Sequence, residues 1–197
     1  MATPPATCSV AFKEWAGVCD ALADGRQSII LRKGGIREEP GPGAFVPEHD
    51  EFWLYPTAVH QAQQGLRSDV APRPAFVPGP AIPISLLARV ELIGRIRDEA
   101  RLPALEDFHV LTAETVRSRF HYRTPGLWAL ATRIRRREPA FRVAATPEHA
   151  GCKTWVFLDE PLPTSGLTAV LDDAEWSSRL ARLKSLLVDD APREISD

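Results

Sequence analysis

Cysteine is scarce in this 197-residue chain: Cys8, Cys19 and Cys152 are odd in number, far apart and without a C-x-x-C pair. That excludes a disulfide framework and a zinc knuckle, and leaves reduced thiols as the expectation. Long apolar runs are lacking too. Ile29 to Leu31 and Phe52 to Tyr55 are strand-sized, far below the roughly 20 residues a membrane helix requires. Met1 to Ser9 holds no basic stretch followed by an apolar one, so no secretory signal is read, and a cytoplasmic location without a membrane partner is expected. A dominant charge is also missing, since 24 basic residues face 26 acidic ones for a net −2. That is not the balance of a dedicated nucleic-acid binder. No internal repeat is found, and the one biased segment is proline-rich.

What is present fits an ordinary globular protein, with 44% hydrophobic and 25% charged residues. The length suits one core, so a single domain over 1–197 is expected, with disordered ends at 1–8 and 190–197 and a proline-rich loop at 70–83. Arginine outnumbers lysine 20 to 4. The excess suits phosphate recognition and equally suits a GC-rich coding sequence.

Over residues 11–24, Trp15, Val18, Cys19 and Leu22 follow the i, i+3, i+4, i+7 spacing of one helical face, and Gly25 stands where a terminating glycine belongs. Gln27 to Lys33 reads as a strand around Ile29, Ile30 and Leu31, and Phe52 to Tyr55 as another that Pro56 stops. Thr57 caps a short helix through Gln64 in this reading, and the five prolines between Val70 and Pro83 make that stretch loop. Ile84 to Ile96 fits a strand or a helix, and strand is the reading adopted. A capped helix follows at Thr112 to Phe120, then strands at Trp128 to Arg137 and Cys152 to Leu158. Asp172 to Val188 closes the series as a helix with the stripe Trp176, Leu180, Leu183, Leu187. Five or six strands and about four helices without βαβ alternation predict an α+β fold with a mixed or antiparallel, partly closed sheet.

Three groups of residues could carry chemistry. Arg32, Lys33, Gly34 and Gly35 join two cations to two residues that tolerate positive φ, which suits a backbone cradle for phosphate and equally a tight turn with solvated charges. Glu48, His49, Asp50 and Glu51 precede an apolar strand, with His60 following. His49, Glu51 and His60 are the candidate catalytic set, as general acid and base. Strand alternation places His49 and Glu51 on one face and Asp50 on the other. Their spacing matches no metal-ligand template, so neither a metal nor another cofactor is expected.

Eight arginines against two glutamates between 114 and 142 give a local excess of six positive charges. On a strand, Arg133, Arg135 and Arg137 align about 7 Å apart, close to the phosphate spacing of one nucleic-acid strand. Arg119, His121 and Arg123 extend that patch, and Tyr122 and Trp128 are available for stacking. The competing reading pairs these arginines with the acidic part of the chain from Asp159 onward, where nine acidic residues face four basic ones. Trp15, Trp155 and Trp176 read as core, and Cys152 as a packed strand residue.

The blocks Glu14-Trp15-Ala16, Gly25 to Ile36, Glu48 to Phe52, Tyr55-Pro56-Thr57 with His60-Gln61, and Gly151 to Val156 resemble an uncharacterised bacterial family, domain of unknown function 1802. Some relatives in that family are joined to a restriction-endonuclease-like domain, which implies nucleic acid and a restriction or defence setting. The helix followed by Gly25, Arg32 and a strand is similar to the opening of PUA-like domains of the ASCH type. Gln27 and Ile30 stand where those domains carry lysine and glutamate. This likeness implies a PUA-like barrel beside a ligand cleft. Two functions follow as expectations: a module that binds nucleic acid or a phosphorylated ligand through Arg32, Lys33 and the strand arginines, or an enzyme acting on such a substrate with His49 and Glu51 as acid and base or metal ligands.

Overall fold

The apolar run Phe52 to Tyr55 needs cover on both sides, because consecutive strand residues point to opposite faces of a sheet. In the computed structural model, which describes residues 6–33, 49–58, 65–68, 77–151 and 153–187 and the backbone of 193–194, it has that cover. Phe52 and Leu54 enter one core with Phe12, Leu86 and Ala88. Trp53 and Tyr55 enter a second core with Ala11, Ile84, Leu87 and Val156.

The strands are β1 (Thr7–Trp15), β2 (Ile29–Arg32), β3 (Glu51–Thr57), β4 (Ala81–Ile96), β5 (Leu127–Ala144), β6 (Trp155–Pro163), β7 (Thr168–Ala169) and β8 (Arg193–Glu194). They form one sheet in the order β2-β5-β4-β3-β1-β6, with β7 added beside β5 and β8 beside β4. Among the described residues only β1 and β3 run parallel, so the sheet is mixed. β4 and β5 form the longest ladder, from Ala81↔Ala144 to Ile96↔Leu127, with register shifts at Ile84/Leu86 and Val90/Leu92. Such irregularities bend a long pair and increase its twist. The backbone path does not close into a barrel, since β2 and β6 remain the two edges.

Among the described residues three α-helices pack on the sheet: α1 (Ala16–Ala23), α2 (Ala113–His121) and α3 (Asp173–Leu187). Thr112 caps α2 by accepting from the Thr115 N–H, and Asp172 caps α3 by accepting from the Glu175 N–H at 2.8 Å. Trp176, Leu183 and Leu187 of the expected stripe are buried, and Leu180 is partly so. Leu187 lies on Gly94 of β4, where an added Cβ would come within 2.7 Å of its own Cβ. Among the described residues no helix is long and apolar enough to cross a membrane.

Several expectations need correction. The helix read over 11–24 begins only at Ala16, and Thr7–Trp15 is a strand. The helical spacing was genuine from Trp15 onward, but β1 is paired on both sides and buried on both faces, so it shows no clean alternation. Thr7 and Cys8, assigned to a disordered end, pair with Pro163 and Leu162. Pro56 does not stop β3, since Pro56 and Thr57 pair with Glu14 and Trp15 of β1. On its other side β3 pairs with β4 only at Glu51 to Trp53, so the missing proline N–H interrupts no ladder there. Pro83, assigned to loop, lies inside β4.

The segment Glu99–Phe108 is a 3-10 helix that was not foreseen. Its buried Leu102, Leu105 and Phe108 recur every three residues, the period of that helix. Most of the Thr57–Gln64 helix, residues 70–76 of the proline-rich loop, and the cradle glycines Gly34 and Gly35 lie outside the described residues. So do His60 and Cys152.

Candidate anion site at the open seam of the sheet

Arg32 ends the edge strand β2, and Trp155 begins the opposite edge strand β6. The guanidinium of Arg32 spans the space between these edges, donating from Nη2 to Thr154 Oγ1 at 3.1 Å. Its plane lies over the Phe12 ring, 4.5 Å from the centroid. Side-chain bonding therefore bridges the seam that the backbone leaves open.

Glu14, from the end of β1, is the carboxylate beneath it, with a side chain only 4% exposed. Oε1 accepts from the Trp15 N–H at 2.7 Å, and Oε2 stands 4.0 Å from Arg32 Nη1. A second guanidinium arrives from α2. Arg119 lies 4.2 Å from the Trp15 ring centroid and donates to the Leu31 carbonyl at 3.3 Å. Burial lowers the proton affinity of Arg32, with Glu14 opposing the shift. Burial does the same to Arg119, where Glu14 again opposes and the charge of Arg32 adds to the lowering. Both remain cationic, because an arginine starts too high to lose its proton in such surroundings.

Two guanidiniums thus share one buried carboxylate. An isolated buried charge is costly, and a pair of like charges with a single counterion leaves an uncompensated cation. Aromatic surface surrounds them. His49 meets Trp155 edge-on at 5.2 Å and Phe157 at 6.0 Å, and Phe157 is 62% exposed. Trp15 and Trp155, read as core, are only partly buried at this seam, whereas Trp176 is core.

The remaining candidate residues are placed elsewhere. Lys33 turns away from Arg32 and donates to the carbonyls of Phe120 at 2.7 Å, Gly126 at 2.9 Å and Thr124. It holds the end of α2 and the turn after it, where free carbonyls and the helix dipole favour a cation. Arg133 pairs with Asp173, and Arg135 with Glu51 at 2.7 Å. The Asp173 pair is the predicted match to the acidic part of the chain. Arg137 differs from both. It lies 4.3 Å from the Phe141 centroid, its Nε is buried without a protein acceptor, and it has no carboxylate partner among the described residues.

Arg32 rests on Phe12 of the first core, whereas Arg137 rests on Phe141, which packs on the second. The strand-end cation and the arginine row therefore do not share a site. Nor do His49 and Glu51, expected on one face: His49 turns to Trp155 and Glu51 to Arg135. The backbone bends at Asp50, so alternation does not carry through it. Among the described residues no group of three His, Cys, Asp or Glu side chains could hold a metal ion.

Sequence reading alone missed the pairing of Arg119 with Arg32, and no local signal announces it. Its partners Glu14-Trp15 and Thr154-Trp155 do stand within the blocks that carry the family resemblance. Glu14-Trp15, Arg32 and Thr154-Trp155, dispersed along the chain, meet at this seam.

The helix that carries Arg119 also adjoins a buried histidine. His109 is held down to about 4, by burial first and then by the charges of Arg67 and Arg119. In the unfolded chain the same imidazole takes its proton near 6.5. Between these values the unfolded chain binds more protons, so stability falls as pH drops from 6.5 to 4, by about 3 kcal/mol from this group. Urea unfolding of wild type and His109→Asn across that range checks the claim. The variant should lose most of this pH dependence, and identical profiles would refute the assignment.

Comparison with known proteins gives three structural likenesses. The ASCH protein from Zymomonas mobilis shares 15% identity, with 95% of this chain and 97% of that chain covered and a TM-score of 0.41. A tyrosine-to-phenylalanine mutant of the same protein gives 13%, 88% and 96%, with a TM-score of 0.45. A serine-to-alanine mutant of it gives 16%, 91% and 98%, with a TM-score of 0.42. No curated protein matches the sequence. The model of the domain of unknown function DUF1802 matches residues 11–182, nearly the whole chain, and the protein therefore belongs to the DUF1802 family.

Proposed function

We propose that this protein is a binding module for nucleic acid or a phosphorylated ligand, and that Arg32 and Arg119 at the sheet seam hold the phosphate. The observation that carries the reading is the shared counterion: two half-buried guanidiniums whose one acidic neighbour among the described residues is Glu14. An arriving phosphate supplies the second negative charge and accepts hydrogen bonds in the forked geometry arginine offers. Trp15, Trp155, His49 and Phe157 provide ring faces and edges beside it for a base to stack on.

Within the arginine row, Arg137 is the member with donor capacity to spare. Arg133 and Arg135 must first release Asp173 and Glu51. The setting we propose for this binding is a restriction or defence system, on the resemblance of the sequence blocks to a family with nuclease-linked members. The alternative, an acid–base enzyme built on His49 and Glu51, draws no support from their divergent partners.

Fluorescence anisotropy with a labelled single-stranded oligonucleotide at low ionic strength tests the proposal. The double variant Arg32→Gln/Arg119→Gln should lose at least tenfold in affinity, about 1.4 kcal/mol. Arg133→Gln/Arg135→Gln should change it much less. Loss of the one phosphate they hold should flatten the plot of log K against log salt by about 0.7 for a single strand. Undetectable binding of the wild type at low salt, or equal affinities for the seam variant and the wild type, removes the proposal.

A further inference from the structure

A second feature lies between the 3-10 segment Glu99–Phe108 and the start of α2, the helix that also carries Arg119. Here Leu102, Pro103, Glu106, His109, Ala113, Val116 and Arg117 line a small cleft. His109 is 1% exposed. Its Nδ1 accepts from the Leu111 N–H at 3.2 Å. In the neutral ring Nδ1 is thereby the lone-pair nitrogen, so Nε2 must carry the hydrogen. That Nε2–H is buried and has no protein acceptor among the described residues. A buried donor left without an acceptor forfeits a hydrogen bond's worth of solvation.

The surroundings specify the kind of acceptor. Ala113 is the first residue of α2, so the cleft abuts the positive end of a nine-residue helix. Arg117 stands one turn further along the same helix, with Glu99 3.5 Å from its Nε. The nearby charges of Arg67 and Arg119 are already strong enough to help keep His109 unprotonated. Glu106 is the one acidic side chain in the lining, and it is exposed. The walls of Leu102, Pro103 and Val116 are apolar, which suits a guest with a short hydrocarbon tail.

We infer that this cleft is a binding site for a short-chain carboxylate, whose oxygen accepts from the Nε2–H of His109 while its carbon lies against Leu102 and Val116. The site is separate from the seam and does not depend on the phosphate reading.

The test is a long-range proton–nitrogen NMR spectrum of the full chain at neutral pH, with His109 assigned through His109→Asn. Asparagine keeps an acceptor for the Leu111 N–H and removes the imidazole donor. The free protein should show the Nε2–H tautomer. Acetate and propionate should move the Nε2 resonance saturably in the millimolar range, about 4 kcal/mol of binding at 1 mM, while chloride at equal ionic strength should not. Ala113→Leu, a change at an exposed position that fills the mouth, should weaken the response at least tenfold and leave the tautomer unchanged. A resonance insensitive to carboxylates, one that chloride moves equally, or an unaltered response in Ala113→Leu would each overturn the inference and leave the cleft as a place for water only.

Discussion

Replacing Glu14 with glutamine should destabilise the protein by about 3–5 kcal/mol and at the same time tighten its hold on phosphate. Glutamine still offers an oxygen to the Trp15 N–H, so the change is chiefly one of charge. Arg32 and Arg119 would then lack a carboxylate neighbour among the described residues, in a place where Arg32 is only 23% exposed. Whole domains are stable by about 5–15 kcal/mol, so the loss would be plain in a urea midpoint. Phosphate added to the variant should restore much of it, since a ligand that binds the folded state alone stabilises by mass action. The wild type, which keeps its carboxylate, should gain less. Equal midpoints for the two proteins, or a variant indifferent to phosphate, would show that the seam is not an uncompensated cation pair.

The second large effect is expected at Trp53. It is fully buried, donates its indole N–H to the Cys8 carbonyl at 3.2 Å, and meets Phe141 edge-on at 5.6 Å. It also stands where β3 is paired on both sides, with Ala11 of β1 and Leu87 of β4. Trp53→Ala removes the largest side chain of the second core, and substitutions of this kind cost about 3–5 kcal/mol. Trp53→Phe keeps ring contact but gives up the indole hydrogen bond to the Cys8 carbonyl, so its loss should be smaller and still measurable by urea unfolding. A cost for alanine under about 1 kcal/mol would mean that the second face is not a packed core.

Much of the architecture could be read before the structure, where one physical signal dominated. Ile29 to Leu31 between glycines became β2, the Asp172 cap with the Trp176 stripe became α3, and Leu130, Thr132 and Ile134 face inward on β5. β1 was hidden because Ala11 and Phe12 are buried on opposite faces, which erases the alternation that marks a half-exposed strand. The site was less legible. Arg32 stood out through its setting at a strand exit, but its partner Arg119 depends on where α2 docks over Trp15, a fact of tertiary packing. The arginine row drew attention through charge density alone. Charge density does not reveal that Asp173 and Glu51, 40 and 84 residues away from their partners, neutralise two of its members.

Lys33 gives the seam a property that its neighbour Arg32 could not supply. By gripping the carbonyls at the tail of α2, it bolts the strand that bears one guanidinium to the helix that bears the other. The two cationic jaws are therefore mounted on one block, and their gap is set before any guest arrives. A grip preorganised in this way spends little freedom on closing, so its affinity reports the match between gap and guest instead of the effort of assembly.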